Sequence, residues 1–208
     1  MERQPKLIVV AGPNGVGKST YSRGSFVAGF LVLDPDRYGL AEGVQNPMIA
    51  GRLTVARVRN ALSVRETLVL ETTLSGNFPI SVMERARQFG YDVILLYIGV
   101  DNPEECARRV RRRVARGGHD VPDVDIRRRY YRSINALSKA VGIADSVSMY
   151  DNAADQRYKL IAQSDFRTTL IVRTVPAWAQ AAVSIVRERF EAAQLAARAF
   201  DPPDQDGL

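Results

Sequence analysis

KLIVVAGPNGVGKST, residues 6–20, is the stretch that decides the fold. Its first six residues are a short, apolar, β-branched run that ends at glycine, which predicts a buried strand. Gly12 to Ser19 then fits the spacing G-x-x-x-x-G-K-[ST]. In that pattern the glycines let successive backbone N–H groups curl around a phosphate chain. The lysine reaches the terminal phosphates, and the following hydroxyl ligates Mg²⁺. The helix that opens next turns its positive dipole end toward the same anion. A strand, this loop and a helix in direct succession are the context the motif requires. Gly12, Pro13, Asn14, Gly15, Val16, Gly17, Lys18, Ser19 and Thr20 are therefore the expected cradle for ATP. Lys18 is assigned to the β- and γ-phosphates and Ser19 to Mg²⁺.

Outward from this loop, strand and helix patterns alternate. Residues 18–28 read as helix and Phe30–Leu33 as a second strand closed by Asp34–Pro35–Asp36. Pro47 to about Arg65 reads as a helix capped by Asn46. Thr67–Glu71 is a strand, Thr72–Asn77 a polar loop, and Pro79–Phe89 a helix stopped by Gly90. Tyr91–Val100 is nearly all apolar, as expected of a central strand covered on both faces. Asn102–Pro103–Glu104–Glu105 opens a helix with a cap, a proline at the first position and acids in the first turn. Gly117–Gly118 ends it, and Pro122 opens another helix to about Val141. Ser146–Tyr150 is a strand, Arg157–Val172 a hairpin around Ser164–Asp165, and Ala177–Ala199 a long amphipathic helix. The expected fold is α/β: a three-layer α/β/α P-loop NTPase of kinase type, with a mainly parallel sheet, a helical arginine lid, and a C-terminal hairpin and helix. Residues 1–163 are the expected core, with the lid at about 109–129. Residues 164–200 are an appended strand and helix, and 201–208 a disordered tail.

In open α/β sheets ligands gather at the carboxyl ends of the strands. Acidic residues follow three of them: Asp34 and Asp36, Glu71, and Asp101. A kinase needs a carboxylate near Mg²⁺ and a base for the acceptor hydroxyl. Helix initiation accounts for Asp101, which precedes Asn102–Pro103. Turn chemistry accounts for Asp34 better than for Asp36. Glu71 leads into Thr72 and Thr73, whose hydroxyls are placed to bind water or substrate.

The 208 residues are 46% hydrophobic and 25% charged, which excludes a disordered or collagen-like chain. No apolar run approaches the ~20 residues of a membrane span, and the N-terminus is not a secretory signal. Cys106 is the single cysteine, so no internal disulfide is possible. A cytoplasmic protein without a membrane partner is expected. The net charge is +6, and its placement is informative. Residues 108–132 hold ten of the 29 basic residues and three of the 23 acidic ones, leaving 19 basic against 20 acidic elsewhere. The surplus thus belongs to one segment, which argues against a general or specific nucleic-acid partner. Helical spacing puts Cys106, Val110 and Val114 on an apolar stripe with Arg109, Arg113 and Arg116 beside it. Arg113 and Arg129 are the expected phosphate contacts on a mobile lid that neutralises the transferring group and excludes water. Arg108, Arg111, Arg112, Arg128 and Arg132 are expected on a solvated face. His119, the single histidine, is expected to hydrogen-bond structurally, and Trp178 and Phe190 to anchor the last helix.

GPNGVGKST, LDPD, ETTLSG at 71–76, RVRRRVARGGHDVP at 109–122, IRRRYYRS at 126–133 and YDN at 150–152 occur in the order seen in zeta-toxin-type kinases. The chain resembles that family over roughly residues 5–163. The resemblance implies phosphorylation by ATP of a sugar nucleotide, with the 3′-hydroxyl of UDP-N-acetylglucosamine as acceptor in characterised members. It implies Asp36 as base, Glu71 near Mg²⁺ and substrate, and Thr72 and Thr73 lining the acceptor pocket. It further implies Arg113 and Arg129 as lid arginines and Asn152 near the nucleotide base. Two features depart from the pattern. The loop begins at Gly12, leaving no room for the N-terminal extension that binds an antitoxin, so an antitoxin partner does not follow from the sequence. The base lies in Asp34–Pro35–Asp36 where the family usually has Asn-Ala-Asp.

Overall fold

In the computed structural model of the chain, the structure describes residues 4–24, 30–34, 44, 46–154 and 157–200. Asp36, the expected base, and the tail at 201–208 lie outside the described residues. The described strands are β1 (Lys6–Ala11), β2 (Leu31–Leu33), β3 (Leu68–Thr72), β4 (Asp92–Gly99), β5 (Ser146–Asp151), β6 (Lys159–Ser164) and β7 (Leu170–Val172). The described helices are α1 (Lys18–Gly24), α2 (Pro47–Ser63), α3 (Asn77–Gln88), α4 (Pro103–Val114), α5 (Asp123–Ile143) and α6 (Gln180–Phe200), with a 3₁₀ turn at Ala177–Ala179.

The seven strands form one sheet in the order β2-β3-β1-β4-β5-β6-β7. β2, β3, β1, β4 and β5 are parallel, and β6 and β7 add on antiparallel. The chain passes to one side of β1 for β2 and β3, then to the other for β4 and β5. The carboxyl end of β1 is therefore the reversal point where open α/β sheets bind ligands. This is the expected α/β/α kinase-type architecture. Leu7, Val9, Ala11, Leu70, Leu95 and Tyr97 face the larger core beneath α2, α3, α5 and α6. Ile8, Val10, Val69 and Leu96 face the other way, under Tyr21 of α1. The alternation along β1 is the two-residue period of a strand buried on both faces.

Local signals set the helix ends. Asn46 Oδ1 accepts from the N–H groups of Met48 and Ile49 at 2.9 and 3.4 Å. Asn102 Oδ1 accepts from Glu105 N at 2.9 Å. Each satisfies N–H groups that have no partner within the helix. A smaller core of Val16, Ile98, Cys106, Val110, Ile126 and Tyr130 ties the phosphate loop to α4 and α5. Before α6, Trp178 packs on Tyr97 with ring centroids 5.6 Å apart. Phe190, expected as a second anchor, is only partly buried; Ala182, Val183 and Val186 fill that position on α6. No described helix is long and apolar enough to cross a membrane.

Candidate active site

The loop between β1 and α1 is built on close approach. At Gly12 (φ 142°) an added Cβ would lie 2.0 Å from the Ile98 carbonyl oxygen, so no side chain fits. Its N–H donates to Thr72 O at 3.2 Å, which locks the loop to the end of β3. Lys18 Nζ lies across the loop, donating to the carbonyls of Gly12 and Pro13 at 2.8 and 2.9 Å. The lysine ammonium thus sits at the mouth of the cradle that the motif predicts.

Parallel pairing of β1 with β3 sets Val10 beside Glu71 and Ala11 beside Thr72. That register delivers Glu71, only 5% exposed, to the first turn of α1. Ser19 Oγ donates to Glu71 Oε1 at 2.5 Å, and Ser22 Oγ to Oε2 at 3.4 Å. A hydroxyl and a buried carboxylate at one point form a hard oxygen donor pair. Beyond it, Thr72 Oγ1 accepts from Leu74 N at 3.0 Å, and Thr73 and Ser75 share a hydroxyl bond of 2.8 Å. Asp34, at the end of β2, also faces the cleft.

These groups line a cleft of about 830 Å³ whose opposite wall is the segment from α4 to α5. Arg112, Arg113, Arg116 and Arg129 reach it, with His119 between them and Arg23 from α1. Arg113 and Arg129 thus line the same cleft as the loop. Arg112 is exposed, as expected of a solvated face, and also lines the rim of the cleft. His119 takes part through its backbone, its carbonyl accepting from Arg113 at 2.7 Å.

The arginines are sorted by charge as well as position. Arg108 pairs with Glu105, Arg111 with Asp123, Arg127 with Glu104, and Arg128 with Asp125, all on the outer surface. Among the described residues, Arg113, Arg116 and Arg129 make no ion pair with a carboxylate. Acids on the same two helices thus neutralise four of the outer arginines, whereas Arg113, Arg116 and Arg129 line the cleft; Arg132 stays exposed outside it, as expected of a solvated face.

Asn152 follows β5 and lies behind the loop, 1% exposed, with Nδ2 donating to Val16 O at 2.8 Å. Two further residues were not foreseen. Tyr158 OH donates to Gly17 O at 2.9 Å. Arg109, 7% exposed, donates to the carbonyls of Asn152 and Ala153 at 2.8 and 3.1 Å and to Glu105 Oε1 at 2.5 Å. Arg109 carried a signal, since it lies beside an apolar stripe. Tyr158 carried none, because its partner is 141 residues away. Burial pushes the Cys106 thiol up to about 12, so it is an inert core residue.

No family model matches the chain. An uncharacterized protein of Haemophilus influenzae is 34% identical over 131 residues, 61% of this chain and 94% of that protein. Among solved structures, one from the PezAT chromosomal toxin–antitoxin system of Streptococcus pneumoniae matches with a TM-score of 0.61 at 18% identity. That match covers 93% of this chain and 88% of the other. The AvrRxo1-ORF1:AvrRxo1-ORF2 structure with sulphate ions matches at 0.62 and 17% identity, covering 86% of this chain and 64% of that one. The AvrRxo1-ORF1:-ORF2 structure with ATP matches at 0.58 and 13%, covering 90% and 64%. At such identities the likeness is one of fold. The chain belongs to the same family as the Haemophilus influenzae protein, and its fold is that of the zeta-toxin-like P-loop kinases.

Proposed function

We propose that the chain is an ATP-dependent phosphotransferase that moves the γ-phosphate to a hydroxyl of a sugar nucleotide, the 3′-OH of UDP-N-acetylglucosamine being the first candidate. The observation that carries this reading is that three cleft arginines, Arg113, Arg116 and Arg129, have no carboxylate partner among the described residues. Arg113, Arg116 and Arg129 face a loop that already has Lys18 and its own amides for one phosphate chain. Their excess positive charge suits two anions in one cleft, a nucleotide donor and an acceptor that itself carries phosphate. A neutral sugar acceptor would leave part of that charge unanswered. The fold also recurs in a structure described as holding ATP.

The donor set fits Mg²⁺. Ser19 and Glu71 would hold it, and nucleotide oxygens and water would complete a shell that favours oxygen. Among the described residues no cluster of three His, Cys, Asp or Glu side chains exists to form a separate metal cage. When bound, the ion supplies charge neutralisation on the phosphates.

The chain's own residues supply the rest. The glycine loop amides and Lys18 hold the β- and γ-phosphates, Lys18 exchanging its two carbonyl contacts for phosphate oxygens. Asp36 accepts the proton of the acceptor hydroxyl. That oxygen bonds to the γ-phosphorus as the bridge to the β-phosphate breaks, and ADP leaves. Thr72 and Thr73 line the acceptor side, and Arg113 and Arg129 stabilise the charge on the transferring group. The segment between α4 and α5 keeps water from taking the phosphoryl group.

Mass spectrometry of a reaction with ATP, Mg²⁺ and UDP-N-acetylglucosamine tests this directly. A gain of one phosphate in the sugar nucleotide is expected. Consumption of ATP only with another hydroxyl compound reassigns the acceptor, and no product with any acceptor leaves an ATP-binding module. The PezAT and AvrRxo1-ORF1:AvrRxo1-ORF2 systems each comprise two proteins, so a protein partner of antitoxin type is a candidate for this chain as well. Co-purification of a neighbouring gene product with this chain decides that question.

A further inference from the structure

We propose that Asn152 and Tyr158 are positioning residues for the phosphate loop, which they aim from behind by holding the carbonyls of Val16 and Gly17. The proposal rests on the kinase reading above and adds to it two residues at the edge of the cleft that act through the loop backbone. Asn152 is fixed first by its backbone, its N–H donating to Gly99 O at 3.0 Å at the end of β4. Its buried side chain then donates to Val16 O at 2.8 Å. Tyr158 enters from the residues before β6, with its ring edge-on to Tyr21 of α1 at 5.1 Å and its hydroxyl on Gly17 O at 2.9 Å.

The peptide bond turns these two contacts into a function. In a trans peptide the C=O and the next N–H point in opposite directions. Holding the Val16 carbonyl outward therefore turns the Gly17 N–H inward; the Gly17 carbonyl, which Tyr158 holds together with the Thr20 and Tyr21 N–H groups of α1 at 3.1 and 3.0 Å, does the same for the Lys18 N–H. Inward amides form the anion-binding nest, whereas inward carbonyls would oppose phosphate oxygens. Gly17 (φ 97°) is the residue that admits this arrangement, because an added Cβ would lie 2.9 Å from both Asn152 Nδ2 and Tyr158 OH. Arg109 of α4, oriented by Glu105 one turn earlier on the same helix, extends the support by binding the carbonyls of Asn152 and Ala153. The loop is thereby referenced to β5 and β6 as well as to β1 and β3.

Positioning of the phosphate nest and direct contact with the base predict different ligand dependence. Tyr158→Phe removes the hydroxyl and keeps the ring. Asn152→Asp keeps the volume and sets an acceptor against an acceptor. Affinities for ATP, ADP and adenosine, measured by calorimetry and NMR titration with Mg²⁺ present, separate the two. The expected result for Tyr158→Phe is about a tenfold loss for ATP and ADP, a larger loss for Asn152→Asp, and an unchanged affinity for adenosine, with the unliganded Tyr158→Phe protein folded and its melting temperature lowered only by the lost hydrogen bond. A parallel loss for adenosine, or wild-type affinity for ATP in Tyr158→Phe, overturns the proposal alone. If Asn152→Asp fails to fold, Tyr158→Phe decides by itself. A wild-type chain that binds no ATP overturns the kinase reading and this proposal with it.

Discussion

Ser19 Oγ donates to Glu71 Oε1 across 52 residues of chain, joining the first turn of α1 to the end of β3 at 2.5 Å. The pair exists because β1 and β3 are neighbours in register, so their carboxyl ends deliver a hydroxyl and a carboxylate to one point. Glu71→Gln keeps the shape and removes the charge. It should lower turnover by about 10–100-fold and raise the Mg²⁺ concentration needed for half-maximal rate. Binding of ATP in the presence of EDTA should be little changed. Rates at graded Mg²⁺ check this, and an unaltered Mg²⁺ dependence would remove Glu71 from the metal site.

The arginines facing the loop should act on the chemical step. Arg113→Ala and Arg129→Ala should each reduce kcat by about 10³-fold, the scale of a phosphate-stabilising arginine. Arg113→Lys should recover little, because an ammonium lacks the planar fork. Arg111→Ala, on the paired outer surface, should leave kcat near wild type. Single-turnover rates distinguish these cases.

Asp36→Ala should retain ATP binding and lose acceptor-dependent turnover by roughly 10²–10⁴-fold, the range of a lost general base. Calorimetry and product mass spectrometry on the same preparation test both halves. Wild-type turnover in this variant would move the base elsewhere.

Acid should loosen α4. The hydrogen bond from Arg108, helped by Arg109, holds the Glu105 carboxyl down at about 2 from its ordinary 4.5. A carboxylate depressed in the folded state contributes stability that is complete above about pH 4.5 and is lost as pH falls toward 2. Glu105→Gln should lower the melting temperature by a constant amount above about pH 4.5 and converge with the wild type toward pH 2, flattening the pH dependence in that window. A wild-type slope in the variant would assign the acid sensitivity to other groups.

Trp178 reports on the core behind the site. It lies against Gly99 at the end of β4, where an added Cβ would come within 2.5 Å of the indole. Gly99→Ala should therefore cost about 1–3 kcal/mol through overpacking. Because Trp178 is the single tryptophan, its fluorescence should shift in the same variant. A stable protein with unshifted emission would contradict the packing.

Much of the molecule follows from local chemistry. The phosphate loop, the caps at Asn46 and Asn102, the stop at Gly90 and the buried run of β4 depend on neighbours a few residues away, so the sequence determined them unaided. It also placed Lys18, Ser19 and Glu71 at strand ends, and a helix pair bearing Arg113 and Arg129 after them. The tertiary structure decided what depends on distant partners. Arg112 comes to line the cleft because a small core joins α4 and α5 to the phosphate loop, a contact that neither helix encodes alone. Arg109 is buried because two carbonyls after β5 receive it. Asn152 and Tyr158 meet Val16 and Gly17 only when β5 and β6 close behind β1. The +6 of the chain is visible in its composition, but which arginines meet a carboxylate, as Arg108, Arg111, Arg127 and Arg128 do, and which line the cleft, as Arg113, Arg116 and Arg129 do, arises from packing, since an ion pair forms only where folding brings both charges within reach.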